Sequence, residues 1–210
     1  MATPDPAGRR GTPLRVTPTP DDGTRLSAER LWDENSRPTR PVPDPDRLFT
    51  PREQEPAQHL VDIHDGLREE LTRLRDLIEQ VAAGNAEVGA ARSLISTMTI
   101  RQNTWTLGLY CTTYCRILTG HHTLEDRSVF PHLIKNDPDL EPVITRLEEE
   151  HHAIAAVLER VDRALVALVA EPGGIPRLRR EIDLLTDALL SHLAYEEREL
   201  IEPLARFGYH

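Results

Sequence analysis

Residues 182–200 read IDLLTDALLSHLAYEEREL, and two polar residues inside that run decide the fold. Ile182, Leu185, Leu189, His192, Glu196 and Leu200 recur at spacings of three and four, the repeat of one helical face. A histidine and a glutamate therefore stand where the stripe asks for leucine. Each is costly to bury without a partner. His192 and Glu196 lie four apart, one turn from each other on the same face.

The same intrusion recurs along the chain. From Pro56 to a stop at Gly84-Asn85, Leu60, Ile63, His64, Leu67, Leu71, Leu74 and Ile78 form one stripe. Another contains Val143 or Ile144, Leu147, His151, Ile154, Leu158, Val161 and Leu165. Between them, residues 86–134 read as a short helix and then a long one bent near Gly120, with His121 and Glu125 again four apart. Asn136-Asp137-Pro138 ends it and offers a cap and a first-turn proline to the next helix. Pro172-Gly173-Gly174 breaks that helix, and Pro176 opens the last. No segment alternates with period two, so no sheet is expected. Four helices of about 25 residues with short connections predict an all-α, up-down-up-down four-helix bundle over residues 57–210.

Residues 1–56 carry 11 of the 17 prolines, and their apolar residues show no period. Such a segment buries too little surface to offset its ordering entropy, so it is expected to be mostly disordered or extended. There is room for a short helix around Ser27 to Asn35, with Leu31 and Trp32 available to dock on the bundle. The chain is 39% hydrophobic with a net charge of -10, which excludes the clustered basic surface that nucleic-acid binding requires. Arg9 and Arg10 have no apolar stretch behind them, and the longest apolar run, Ala164 to Ala170, is far too short to span a bilayer. No secretory signal and no membrane span are therefore expected. Cys111 and Cys115 read as a reduced pair facing the core, and a cytoplasmic protein follows. No glycine-rich phosphate loop and no nucleophile triad is present, so any chemistry belongs to a metal.

A lone core histidine is more often hydrogen-bonded packing than a ligand, and a single His-x-x-x-Glu is a common surface pair. Agreement across four helices is different, because the bland explanation must then hold four separate times. Imidazoles and carboxylates aimed at one axis make a cluster that a metal satisfies. Imidazole with carboxylate suits iron, with manganese or zinc as other occupants.

At these residues the chain resembles the hemerythrin-like, or HHE cation-binding, family in its bacterial form. The resemblance is carried by Ile63-His64-Asp65-Gly66-Leu67-Arg68, by His121-His122 with Glu125-Asp126 running into Phe130-Pro131, by Leu147 with Glu150-His151 and Ile154, and by His192 with Glu196 running towards Glu202-Pro203. It spans about residues 57 to 207, and the combination is specific although each part is weak. It implies two non-haem irons with an oxo or hydroxo bridge. His64, His121, His151 and His192 would be terminal ligands, and Glu125 and Glu196 would bridge. Oxygen-carrying members have a second histidine one turn after the His151 position, where this chain has Ala155. His122 is the candidate for that fifth nitrogen, and Glu148 is the alternative. His152 shares a face with Glu148, Ala156 and Glu159 and reads as exposed, while His59 and His210 sit in no stripe. Tyr114 points the same way as His121, for packing or for a place beside the metals. Tyr195, next to Glu196, is a weaker candidate, and Trp105 reads as core.

One imidazole fewer argues against simple oxygen carriage. The resemblance implies a metal-dependent oxidoreductase that reacts with dioxygen, hydrogen peroxide or nitric oxide, catalase-like peroxide turnover included, in a setting of oxidative stress. An apolar lining is expected to admit such molecules and keep larger ones out. Two other readings stand beside it. One is an iron- or oxygen-sensing module without turnover, whose proline-rich arm reports occupancy. The other is a di-iron oxidase of an organic metabolite, which requires a cavity beside the metals. No protein partner is indicated.

Overall fold

The computed structural model describes residues 11–88, 94–170 and 174–209, excepting the side chains of 84–88, 94–106 and 169–170. The elements are α1 (Pro51–Val88), α2 (Leu94–Leu124), a π turn (Glu125–Val129), α3 (Phe130–Asn136), α4 (Glu141–Ala170) and α5 (Ile175–Phe207). Single 3₁₀ turns cover Glu34–Ser36 and Pro138–Leu140. Among the described residues the one strand-like pairing is an isolated antiparallel bridge between Thr12 and Phe49. The helices pack in the ring α1, α2, α4, α5, each beside its neighbour in sequence. This is the expected four-helix bundle.

Local chemistry sets the helix ends. The Thr50 hydroxyl accepts from the Glu53 N–H, and the Glu53 carboxylate accepts from the Thr50 N–H at 2.7 Å, a reciprocal box with Pro51 at the first position. That box starts α1 ahead of Pro56, which the sequence pattern takes as the start. The helix also runs through Gly84-Asn85, where a stop is expected, because its alanine neighbours favour continuation. The short helix expected from Ala86 falls partly in α1 and partly outside the described residues. Asp137 is extended (φ -145°), and its side chain caps the turn that leads into α4. Gly208 takes φ 68° and donates to Leu204 O at 2.9 Å, closing α5 in a conformation that favours glycine.

The helix α2 runs unbroken through Gly120, where a bend is expected, and the irregularity in its hydrogen bonding lies five residues later. The buried positions run Leu118, His122, Glu125, Phe130 and Leu133. The step from Glu125 to Phe130 is one residue too long for an α-helical stripe. The π turn takes up the extra residue and returns Phe130 and Leu133 to the core.

Two apolar clusters fill the interior. One gathers Leu67, Leu74, Leu118, Ile154, Leu185, Leu189 and their neighbours, with Cys111 and Tyr114 among them. The other gathers Leu60, Phe130, Leu147, Leu200 and Leu204. Between them, at the level of His64, His151 and His192, lies a polar layer.

Residues 11–50 form an extended strap against α5. The helix expected around Ser27 is reduced to the turn at Glu34–Ser36, though Leu31 and Trp32 do dock on the core. Leu26 and Ser27 N–H groups donate to Asp187 at 2.8–2.9 Å, and Arg40 N–H donates to Glu199 at 2.9 Å. No described helix is long and apolar enough to cross a membrane.

Leu74 is fully buried in the first cluster, away from the polar layer. Leu74→Ala is expected to lower the unfolding free energy by about 2–5 kcal/mol, measured by denaturant titration of the metal-free protein.

Candidate metal centre

Seven side chains meet in the polar layer as two groups. His122, His151 and His192 form one, and His64, His121, Glu125 and Glu196 form the other. Within each group, one potential ligand atom per residue lies within 4.8 Å of all the rest. These are the seven residues singled out in the sequence. The carboxylates lie between the groups. Glu125 Oε1 is 3.2 Å from His121 Nε2, and its Oε2 is 3.7 Å from His151 Nε2. Glu196 Oε2 is 3.6 Å from His64 Nε2 and 3.5 Å from His192 Nε2.

Three ring orientations are fixed from outside. His64 Nδ1 donates to Glu197 Oε1 at 2.9 Å, His151 Nδ1 to Asp126 Oδ1 at 2.7 Å, and His192 Nδ1 to Glu150 Oε2 at 3.1 Å. An ionised carboxylate only accepts, so each Nδ1 carries the proton and each Nε2 presents a lone pair inward. His151 Nε2 and His192 Nε2 then face each other at 3.1 Å with no proton between them. His64 Nε2 faces His121 Nε2 at the same distance.

Such a layer is unsatisfied by protein atoms alone. Glu125 Oε2, both oxygens of Glu196 and His122 Nε2 are buried without a hydrogen-bond partner. Burial, with the neighbouring Glu196 charge, pushes Glu125 well above the carboxylate range, and burial pushes Glu196 up to about 8. Burial lowers His121 to about 2, and it lowers His192 to about 4 against the opposing pull of Glu150. His64 and His122 are also held well below the ordinary imidazole value by burial. Neutral imidazoles with inward lone pairs, around carboxyls that lack partners, are the donor set a cation satisfies. The residues fit a metal.

The remaining sequence candidates separate cleanly. His122 is buried, its ring stacked on His151 with centroids 4.0 Å apart and planes 10° apart. Glu148 is half-buried and stands outside both groups. His152 is exposed and hydrogen-bonded to Glu148 O. His59 is exposed, while His210 and the Trp105 side chain lie outside the described residues. The Tyr114 hydroxyl donates to Leu67 O at 3.4 Å within the apolar cluster, so it packs and does not face the centre. Tyr195 points outward and donates to Pro38 O at 2.8 Å. Cys111 and Cys115 are free, with burial pushing their thiols up to about 12 and about 11.

The supporting carboxylates have no role in the sequence pattern: Glu150 and Asp126 are neighbours of motif residues, and Glu197 lies outside the motifs. Their common signal is adjacency: each lies next to a ligand candidate on its helix, turned about 100° towards a neighbouring helix.

A cavity of about 290 Å³ opens beside the centre. Leu60, Ile63, Leu124, Val129 and Leu204 line it, His121, Glu125 and Glu196 reach it, and Pro56, His59 and Tyr209 complete it. It is larger than an apolar lining that excludes all but diatomics would leave.

Glu125→Ala and His192→Ala are each expected to abolish stoichiometric metal binding, whereas His152→Ala leaves it intact. Metal analysis of reconstituted, desalted protein decides, and wild-type metal content in the Glu125 variant would overturn its part in the centre.

Comparison with known proteins fits this geometry. No curated protein and no solved structure matches the chain significantly. The Hemerythrin HHE cation binding domain matches residues 55–204, which takes in α1 from its second turn, α2, α3, α4 and all but the end of α5. The chain belongs to the hemerythrin HHE cation-binding family.

Proposed function

We propose that the protein holds two non-haem iron ions in the polar layer and reacts there with a small oxidant: dioxygen, hydrogen peroxide or nitric oxide. The observation that carries this reading is the pair of ligand groups with Glu125 and Glu196 lying between them. His64 and His121 would hold one ion, His122, His151 and His192 the other, and the two glutamates would serve both. His122 then stands in for the histidine that Ala155 replaces. An iron pair, when bound, supplies two one-electron steps, enough to reduce dioxygen to peroxide or to consume peroxide in a catalase-like cycle.

The chain's own contribution is placement and exclusion. Glu197, Asp126 and Glu150 keep the Nδ1 protons of His64, His151 and His192 outward and their Nε2 atoms free. The two apolar clusters shield the layer above and below. The cavity reaches Glu125, Glu196 and His121 without passing charged walls other than these ligands. A cytoplasmic setting suits the free thiols of Cys111 and Cys115.

One observation favours a second reading, oxidation of an organic molecule. The cavity volume of about 290 Å³ is about ten times the roughly 30 Å³ that one water occupies in the liquid.

Anaerobically reduced protein loaded with iron, then exposed to oxygen and to peroxide, tests the proposal. About two irons per chain, a near-ultraviolet oxo-bridge band and sustained oxygen evolution from peroxide support a di-iron peroxide-handling enzyme. A stable oxygen adduct without turnover supports carriage or sensing, and no iron after reconstitution overturns the centre.

Metal-linked stability supplies the pH test. Glu196 is raised in the folded chain, so the metal-free fold binds a proton that the unfolded chain releases. The contribution of Glu196 to stability therefore falls as pH rises from the ordinary carboxylate range through about 8, while the lowered histidines act in the opposite direction below the ordinary imidazole value. A cation replaces that proton. The rise in melting temperature on adding ferrous iron, measured anaerobically, is expected to be larger at pH 8 than at pH 5.

A further inference from the structure

Two of the three carboxylates that orient the histidines are themselves held by the strap, which lies outside the family domain. Arg37 reaches Glu150 with two parallel bonds, Nε to Oε1 at 2.7 Å and Nη2 to Oε2 at 2.8 Å. Its side chain is 6% exposed. It also donates to Ser191 Oγ at 3.0 Å, and its guanidinium lies 4.7 Å from the Tyr195 ring centre and 5.5 Å from that of Trp32. Ser191 and the two rings thus hold the guanidinium with its two-pronged edge on Glu150. Arg146 Nε adds a bond to Glu150 at 3.0 Å from within α4.

The second contact is made by backbone. Thr19 N–H donates to Glu197 Oε2 at 2.7 Å, while the other oxygen of Glu197 takes His64 Nδ1 and stands 2.8 Å from Arg68 Nη2. Thr19 lies between Pro18 and Pro20, so it carries the only N–H of that triplet, and the following proline keeps its backbone extended. The third carboxylate, Asp126, is half-exposed and has no strap contact among the described residues.

We propose that the strap is the outer support of both metal subsites: Arg37 and the Thr19 N–H position Glu150 and Glu197, which in turn position His192 and His64. The two contacts act on different ligand groups, since His192 belongs to the group of His122 and His151, and His64 to that of His121. This rests on the two-ion reading above. Arg37 is a positioning residue, acting on the metal through two other side chains.

The experiment loads the full-length protein with two equivalents of ferrous iron under anaerobic conditions. It then follows release to an excess of a coloured ferrous chelator, with helix content checked by circular dichroism. Loss of a carboxylate's support is expected to weaken the histidine behind it by roughly ten- to a hundredfold. Arg37→Gln should speed release of one equivalent by that factor and leave the other at the wild-type rate. Arg37→Lys, which keeps the charge but not the two-pronged geometry, should fall between. Thr19→Pro deletes the N–H donor and should speed the other equivalent, whereas Thr19→Ala keeps the donor and the wild-type rate. The Arg37→Gln, Thr19→Pro double variant should release both quickly.

Wild-type rates for both equivalents in Arg37→Gln and Thr19→Pro would overturn the proposal. So would equal acceleration of both ions in either single variant, which would mean general loosening of the bundle. If Arg37→Gln loses helix, the Arg37→Lys and Thr19→Pro rates decide. A wild-type chain that keeps no iron overturns the metal centre itself, and this proposal falls with it. Two irons in the wild type with unchanged release in the variants overturns only the role of the strap.

Discussion

Carboxylates passed from one helix to the next decide where the imidazole lone pairs point, and the interior depends on them. Glu197 of α5 orients His64 of α1, Glu150 of α4 orients His192 of α5, and Asp126 of the π turn orients His151 of α4. Each bond puts a proton on Nδ1 and leaves Nε2 bare. The same bonds that order the rings therefore bring lone pairs within 3.1 Å of each other, across His151 and His192 and across His64 and His121. Orientation and electrostatic conflict are one fact. A chain under no requirement beyond packing would place apolar residues here, as α1 does at Leu60 and Leu67 and α4 at Leu147 and Ile154.

The position of the layer limits its cost. Leu67, Ile154 and Leu189 lie on one side of it and Leu60, Leu147 and Leu200 on the other, so α1 and α4 each give up a single core level to polar groups and α5 gives up two, at His192 and Glu196. Burial keeps much of that level neutral, lowering His64, His121, His122 and His192 and raising Glu125 and Glu196. Neutral ligands still leave buried oxygens unpaired. The layer is thus poised to gain from a cation what it loses in the metal-free fold.

The stripes made the bundle legible, because a 3.6-residue period with His or Glu inside it constrains both face and level. Helix ends were less so. The box of Thr50 and Glu53 overrides a proline that reads as a start, and alanines carry α1 through a Gly-Asn that reads as a stop. The π turn was written in the five-residue step from Glu125 to Phe130, but a bend at glycine is the more familiar sign. The inward groups of the centre were legible because leucines surround them. Their supporting carboxylates were not, since Glu150, Glu197 and Asp126 look like ordinary acids until the neighbouring helix is in place. The cavity beside Glu125 depends on how far side chains from three helices stand apart, which no single stripe records.

For the extension, composition leaves disordered and extended backbone as alternatives, and residues 11–50 are extended. They cannot order themselves by burying enough of their own apolar surface. Their order has another source, the acids of α5. Asp187, Glu197, Glu199 and Glu202 are all nearly buried, although on a bare bundle that face would be solvated. Extended backbone laid on a helix must find partners for its N–H groups. Each of the seven prolines between residues 11 and 50 removes one such donor, and four that remain, at Thr19, Leu26, Ser27 and Arg40, meet these carboxylates. A proline-rich strap suits an acidic helix face because it presents few donors, held in an extended backbone. The extra acids of α5 and the prolines of the extension therefore specify each other, and the strap that they dock is the one whose Arg37 and Thr19 reach the carboxylates behind His192 and His64.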